Sequence, residues 1–274
     1  MRRAPSLRAQ RFTLEKDERT TMSGEDLRSR TLGQVVADDY RAAEVFERFG
    51  VDYCCGGSRT VEAACREDGA DVEEVARALN VLGKAADSDA ASEPATWSLE
   101  ELVRHIVDTH HVYVRSALPT LTAAAGRVVA AHGARHAELR EVAEFVHALA
   151  SEMREHMEAE ESRVFPRLLE LVALTATAPK DGDGAEGDGP GSIRDAIGEL
   201  EGDHDRAGAL VQVLRDITGG FRPPADACAT YRSLYSKLEE FERDLHRHVH
   251  LENNILFPRA LAIEESLRKS AGAA

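Results

Sequence analysis

Two stretches of this chain repeat one arrangement of side chains suited to holding a metal ion. His156-x-x-x-Glu160 is followed by Phe165-Pro166-Arg167, and His248-x-x-x-Glu252 is followed by Phe257-Pro258-Arg259 at the same distance. Residues four apart lie one above the other on a helix, so each pair aims an imidazole and a carboxylate at a common point. Such a point suits one metal ion or a bridged pair. Each repeat is preceded by a histidine at matching distance: His111 stands 45 residues before His156, and His204 stands 44 before His248. The chain therefore reads as two tandem helical hairpins.

These polar residues fall on apolar stripes. Leu149, Met153, His156, Glu160 and Val164 share one helical face, as do Ile193, Ile197, Leu200, His204, Val211 and Leu214, and also Phe241, Leu245, His248, Glu252 and Leu256. A carboxylate buried on such a seam costs several kcal/mol unless it is paired or bound to metal. On the first helix Val103, Val107, Val114 and Leu118 bring either His110 or His111 to the seam, and periodicity alone does not choose. His246 and His250 share a face with Arg243, Asn253 and Asn254, which reads as solvent-exposed. Imidazole and carboxylate donors without thiolate suit iron, with manganese and zinc as alternatives.

The elements that must carry these residues are helices. Long helical patterns run over about 98–131, 137–172, 192–217 and 226–267, and no period-two run suggests a strand. The fold class is all-α, a four-helix bundle over 98–267. Ser98 with Glu101 three residues later is a capping box that starts the first helix. A separate helical pattern, 30–84, forms a small N-terminal domain interrupted at Gly50 to Ser58, and 85–97 reads as a polar linker. The glycine-rich stretch 181–191 reads as a flexible loop. Residues 1–29 read as a disordered tail, with Met22 an alternative start.

The 274 residues carry a formal charge of −15, which disfavours nucleic acid and anionic membrane surfaces as partners. No apolar run is long enough to span a bilayer and no secretory leader is visible, so a soluble, cytoplasmic protein is expected. Four cysteines in a chain of this length do not make a disulfide framework.

The repeated His-x-x-x-Glu with Phe-Pro downstream resembles the hemerythrin-like domain. The stretch Asp52-Tyr53-Cys54-Cys55-Gly56-Gly57 in a small helical domain just before it resembles the repair of iron centres family of iron-sulfur cluster repair proteins. Glu201 to Gly208 and Leu251 to Leu261 support the same resemblance, which covers about residues 30–262. It implies two iron ions held by His111, His156, Glu160, His204, His248 and Glu252, with both glutamates and an oxo or hydroxo group bridging them. It favours His111 over His110. One departure is Asp203, where the family often has glutamate before the third-helix histidine.

Cys54 and Cys55 are adjacent, so their Cα atoms stand about 3.8 Å apart, too close for an unstrained disulfide. Gly56 and Gly57 allow a tight turn that would expose both sulfurs, making the pair the candidate for thiol chemistry or iron handling. Cys65 and Cys228 are expected to fill helix interfaces.

The resemblance implies a di-iron protein that restores iron-sulfur clusters damaged by nitrosative or oxidative stress. Its small ligands would be nitric oxide or oxygen species, and its partners the proteins with damaged clusters. Nitric oxide reduction and iron donation are both open, as is a homodimer through the N-terminal domain. The alternative is a hemerythrin-like oxygen-binding or oxygen-sensing protein without a repair role.

Overall fold

The computed structural model describes residues 24–84, 94–177 and 192–272. The expected glycine-rich loop, the tail as far as residue 23 and the linker as far as residue 93 lie outside them. Residues 24–29, counted with the tail in the sequence reading, form a first helix, α1 (Gly24–Ser29). Then come α2 (Leu32–Asp38), α3 (Ala42–Phe49), α4 (Val61–Asp68) and α5 (Val72–Lys84). Thr31 opens α2 through a reciprocal capping box with Gln34, and Thr60 caps α4. The left-handed residues Gly50 and Gly69 end α3 and α4. Leu32, Val36, Phe46, Tyr53, Val61, Cys65 and Val75 close a small core of their own.

The bundle follows as four long helices, three of which are interrupted by a widened turn. The first comprises α6 (Leu99–His105), a π turn (Ile106–His111) and α7 (Val112–His132). The second comprises α8 (Leu139–Ala159), a π turn (Glu160–Val164) and α9 (Phe165–Thr177). The third is α10 (Ile193–Ile217), and the fourth is α11 (Ala229–Leu251), a π turn (Glu252–Leu256) and α12 (Phe257–Gly272). The capping box at Ser98 forms: its hydroxyl accepts from the Glu101 N–H at 3.1 Å and its own N–H donates to the Glu101 carboxylate at 2.7 Å. Glu264 of α12 accepts from the Ile193 N–H at 2.9 Å, tying the last helix to the start of α10. Among the described residues the protein is all-α, a four-helix bundle with a small N-terminal helical domain. Among the described residues no helix is long and apolar enough to cross a membrane.

The bundle interior is two apolar cores with a polar layer between them. Val114, Leu121, Leu149, Met153, Ala207, Val211, Phe241 and Leu245 belong to one; Leu102, Ile106, Val164, Phe165, Leu168, Leu200, Ile255 and Phe257 belong to the other. On every long helix the candidate ligands fall between these sets, so the layer is sealed above and below by packed side chains. Phe257 is fully buried in the second core. Phe257→Ala is expected to cost about 3–5 kcal/mol, read as a lowered denaturation midpoint with an unchanged slope.

Candidate metal centre

Proline shapes two of the three widened turns. Pro166 and Pro258 lack the N–H that would bond the carbonyl four residues back, and their rings crowd that carbonyl. The turn just before each opens instead into an i to i−5 bond, from the Phe165 N–H to the Glu160 carbonyl and from the Phe257 N–H to the Glu252 carbonyl. Widened turns of this kind cluster at functional sites. Each glutamate thus heads a π turn at the point where its helix passes the polar layer. No proline follows the turn at Ile106–His111 at this distance.

The six residues converge. Two four-donor groups form, His111, Glu160, His248 and Glu252 on one side and His156, Glu160, His204 and Glu252 on the other, each with its ligand atoms within 4.8 Å of one another. Both groups contain both glutamates. The facing imidazole nitrogens stand 3.2 Å apart for His111 and His248 and 3.1 Å apart for His156 and His204. Glu160 Oε2 lies 3.2 Å from His111 Nε2 and 3.3 Å from His156 Nε2. Glu252 turns one oxygen to each side, Oε1 at 3.0 Å from His248 and Oε2 at 3.0 Å from His204. With bonds of about 2.1 Å, neighbouring ligands of a metal stand about 3 Å apart. The separations are of the size that neighbouring ligands of one metal ion have.

Hydrogen bonding does not account for these atoms. All six residues are 2% exposed or less, and both oxygens of Glu160 and Oε2 of Glu252 have no hydrogen-bond partner despite the nearby imidazoles. Unpartnered carboxylate oxygens buried among imidazole nitrogens are an arrangement that a cation resolves. Mixed nitrogen and oxygen donors without sulfur match iron, manganese or zinc.

Neighbouring groups set the direction of the imidazoles. His111 Nδ1 meets Glu161 Oε1 at 2.5 Å, and His204 Nδ1 meets Asn253 Oδ1 at 2.8 Å. The residue after each of the two glutamates therefore orients the histidine of the preceding helix, leaving Nε2 to face the donor group. His156 Nδ1 has a longer contact, 3.4 Å to Asp203, whose carboxylate also holds Arg206. The Phe of each Phe-Pro pair stacks on the same lone histidines, Phe165 on His111 and Phe257 on His204. The choice that periodicity left open resolves by direction: His111 Nε2 points into the site, whereas His110 bonds Asp244 at 3.0 Å and stacks on His248.

Three expectations need correction. His250 is buried, because the small domain covers its face with Tyr40 and Tyr53. Cys54 is buried within the bundle core and only Cys55 is partly exposed, so the turn does not expose both sulfurs. Cys228 fills no interface; it is exposed at the start of α11, while Cys65 is buried as expected.

The chain is similar to proteins of known families. Residues 102–260 match the hemerythrin HHE cation binding domain, and residues 28–83 match ScdA_N, described as a domain of unknown function. The iron-sulfur cluster repair protein YtfE of Enterobacter sp. (strain 638) is 35% identical over 237 residues, which are 86% of this chain and 99% of that protein. The YtfE proteins of Citrobacter koseri and Escherichia coli are 33% and 32% identical over the same shares.

Two outcomes follow for metal uptake. In the metal-free chain, burial and then the facing Glu252 push the Glu160 carboxyl well above its usual range. Burial works against a charged His248, but Glu252 outweighs it and draws this imidazole up. Burial holds His111 down at about 4 and His156 at about 2, so these arrive neutral. Metal must displace the protons that remain, so affinity rises with pH. Loading near pH 7 is expected to release protons, and Glu160→Gln to release fewer, as calorimetry in buffers of different ionisation enthalpy would show. Glu161→Ala is expected to weaken metal binding by about 10–100-fold, measured by chelator competition.

Proposed function

The chain belongs to the iron-sulfur cluster repair family with a hemerythrin cation-binding domain, and from that premise we propose that it holds two iron ions with which it restores damaged clusters. The observation that carries this reading is the pair of four-donor groups sharing Glu160 and Glu252. His111 and His248 would hold one iron and His156 and His204 the other, with Glu160 and Glu252 available to both. When bound, the pair supplies one-electron redox chemistry toward nitric oxide or oxygen species. Four protein donors on each side leave coordination positions open to such ligands.

The chain's own residues hold and shield this pair. Glu161 and Asn253 fix two imidazoles, and the apolar cores above and below exclude bulk water. A cleft of about 670 Å³ reaches the His156 side between α8 and α10, lined by Asp203, Arg206, Glu199 and Arg163 among others. It provides a polar approach for protons and small ligands. The Cys54–Cys55 loop docks on the bundle and serves in handing iron to a target protein. The chain's four cysteines are free thiols, which supports the reading of a reducing compartment. The substrates are proteins carrying damaged iron-sulfur clusters.

Iron per chain and the absorption spectrum of the wild type, beside Glu160→Ala and Glu252→Ala, test the reading. About two irons per chain and a bridged-pair band lost in both variants are expected. Nitrous oxide formed when the reduced wild type meets nitric oxide assigns the reductive route, and iron passing to an apo-cluster protein assigns donation. A folded chain without bound metal overturns the proposal.

A further inference from the structure

Within the repeat that builds the metal layer, one pair of corresponding residues makes different attachments. Glu160, Glu161 and Ser162 correspond to Glu252, Asn253 and Asn254. Ser162 bonds back to its own helix, its hydroxyl donating to the Glu158 carbonyl at 2.6 Å. Asn254 keeps one contact on its own helix, its amide nitrogen 3.2 Å from His250 Nδ1, and also reaches off it. Its amide donates to the Cys54 carbonyl at 3.1 Å and the Tyr53 carbonyl at 3.3 Å, some 200 residues away in sequence. The backbone of the small domain closes around it. A Cβ added at Gly57 would stand 2.0 Å from the Asn254 side-chain oxygen, and one at Gly33 would stand 2.4 Å away. Gly33 in turn donates its N–H to the Gly57 carbonyl at 2.9 Å, joining the two strips of backbone that enclose the amide.

The gripped segment is the cysteine loop. Asp52 organises it, accepting from the Cys54, Cys55 and Gly56 N–H groups at 3.0–3.1 Å. Cys54 packs in the bundle core and Cys55 against Gly208 of α10. One π turn therefore carries three consecutive residues with three separate attachments: Glu252 to the metal site, Asn253 to His204 and Asn254 to the thiol loop.

We propose that Asn254 is the positioning residue that clamps the Cys54–Cys55 loop to the bundle, and that through this π turn metal ligation and thiol accessibility are coupled. The coupling rests on the two-metal reading above; the clamp does not. Metal bound to Glu252 and His204 fixes the turn and keeps the loop docked. Loss of metal frees the turn and loosens the loop, and by reciprocity a loosened loop weakens metal binding.

The test is the rate of maleimide labelling of the full chain, resolved by peptide mass spectrometry, in metal-loaded and chelator-stripped wild type, Asn254→Ala and Asn254→Asp. Exposed Cys228 calibrates the reagent and buried Cys65 reports opening of the small domain. Asn254→Asp keeps the shape but sets an acceptor against two carbonyls. Both variants are expected to label at Cys54 and Cys55 about tenfold faster or more, with Cys65 still protected. In wild type, stripping should speed the pair about fivefold or more, and in the variants metal should make little difference. Labelling at wild-type rate in both folded variants, or faster labelling of Cys65 in step with the pair, overturns the clamp. Faster variants with a wild type insensitive to bound metal overturn the coupling. A wild type that takes up no metal sinks the two-metal reading, while the stripped samples still decide the clamp.

Discussion

Everything in the bundle answers to two buried carboxylates, three of whose four oxygens have no hydrogen-bond partner. Glu160 and Glu252 are fully buried, and burial alone would drive each toward its protonated form. Around Glu252 the facing His248 and His204 reverse that tendency and hold the carboxyl well below its usual range; around Glu160 they do not. The layer thus gathers donors able to bind a metal ion. Two apolar cores confine it, which keeps the donors in place and the dielectric low.

The internal repeat explains how one sequence pattern serves so many requirements. Each unit of eleven or so residues supplies a histidine, a glutamate one turn on, a residue that orients an imidazole across the layer, a phenylalanine that stacks on the same ring and a proline that widens the turn. Asn254 is where the second copy gives up this symmetry and attaches the bundle to the small domain instead.

Much of this was legible in the sequence. The His-x-x-x-Glu spacing, the apolar stripes and the Ser98–Glu101 cap mark helices, seam and ligands because helical periodicity is local. The π turns were not read, although Pro166 and Pro258 signalled them. His250 was read as exposed because its neighbours on α11 are polar, and a single-helix pattern holds no knowledge of the domain that packs over it. The same blindness exposed both sulfurs on paper: the bundle core that buries Cys54 comes from residues more than fifty positions away. The functional weight of Glu161 and Asn253 was present in the repeat, one place after each glutamate, but shows only once the facing histidines are in place.

Iron-edge X-ray absorption of the loaded chain measures the central claim most directly. Nitrogen and oxygen neighbours with no sulfur are expected, plus a metal–metal vector at about 3.5–4 Å that disappears in Glu252→Ala. A first shell containing sulfur, or isolated irons with no metal–metal vector in the wild type, would contradict it.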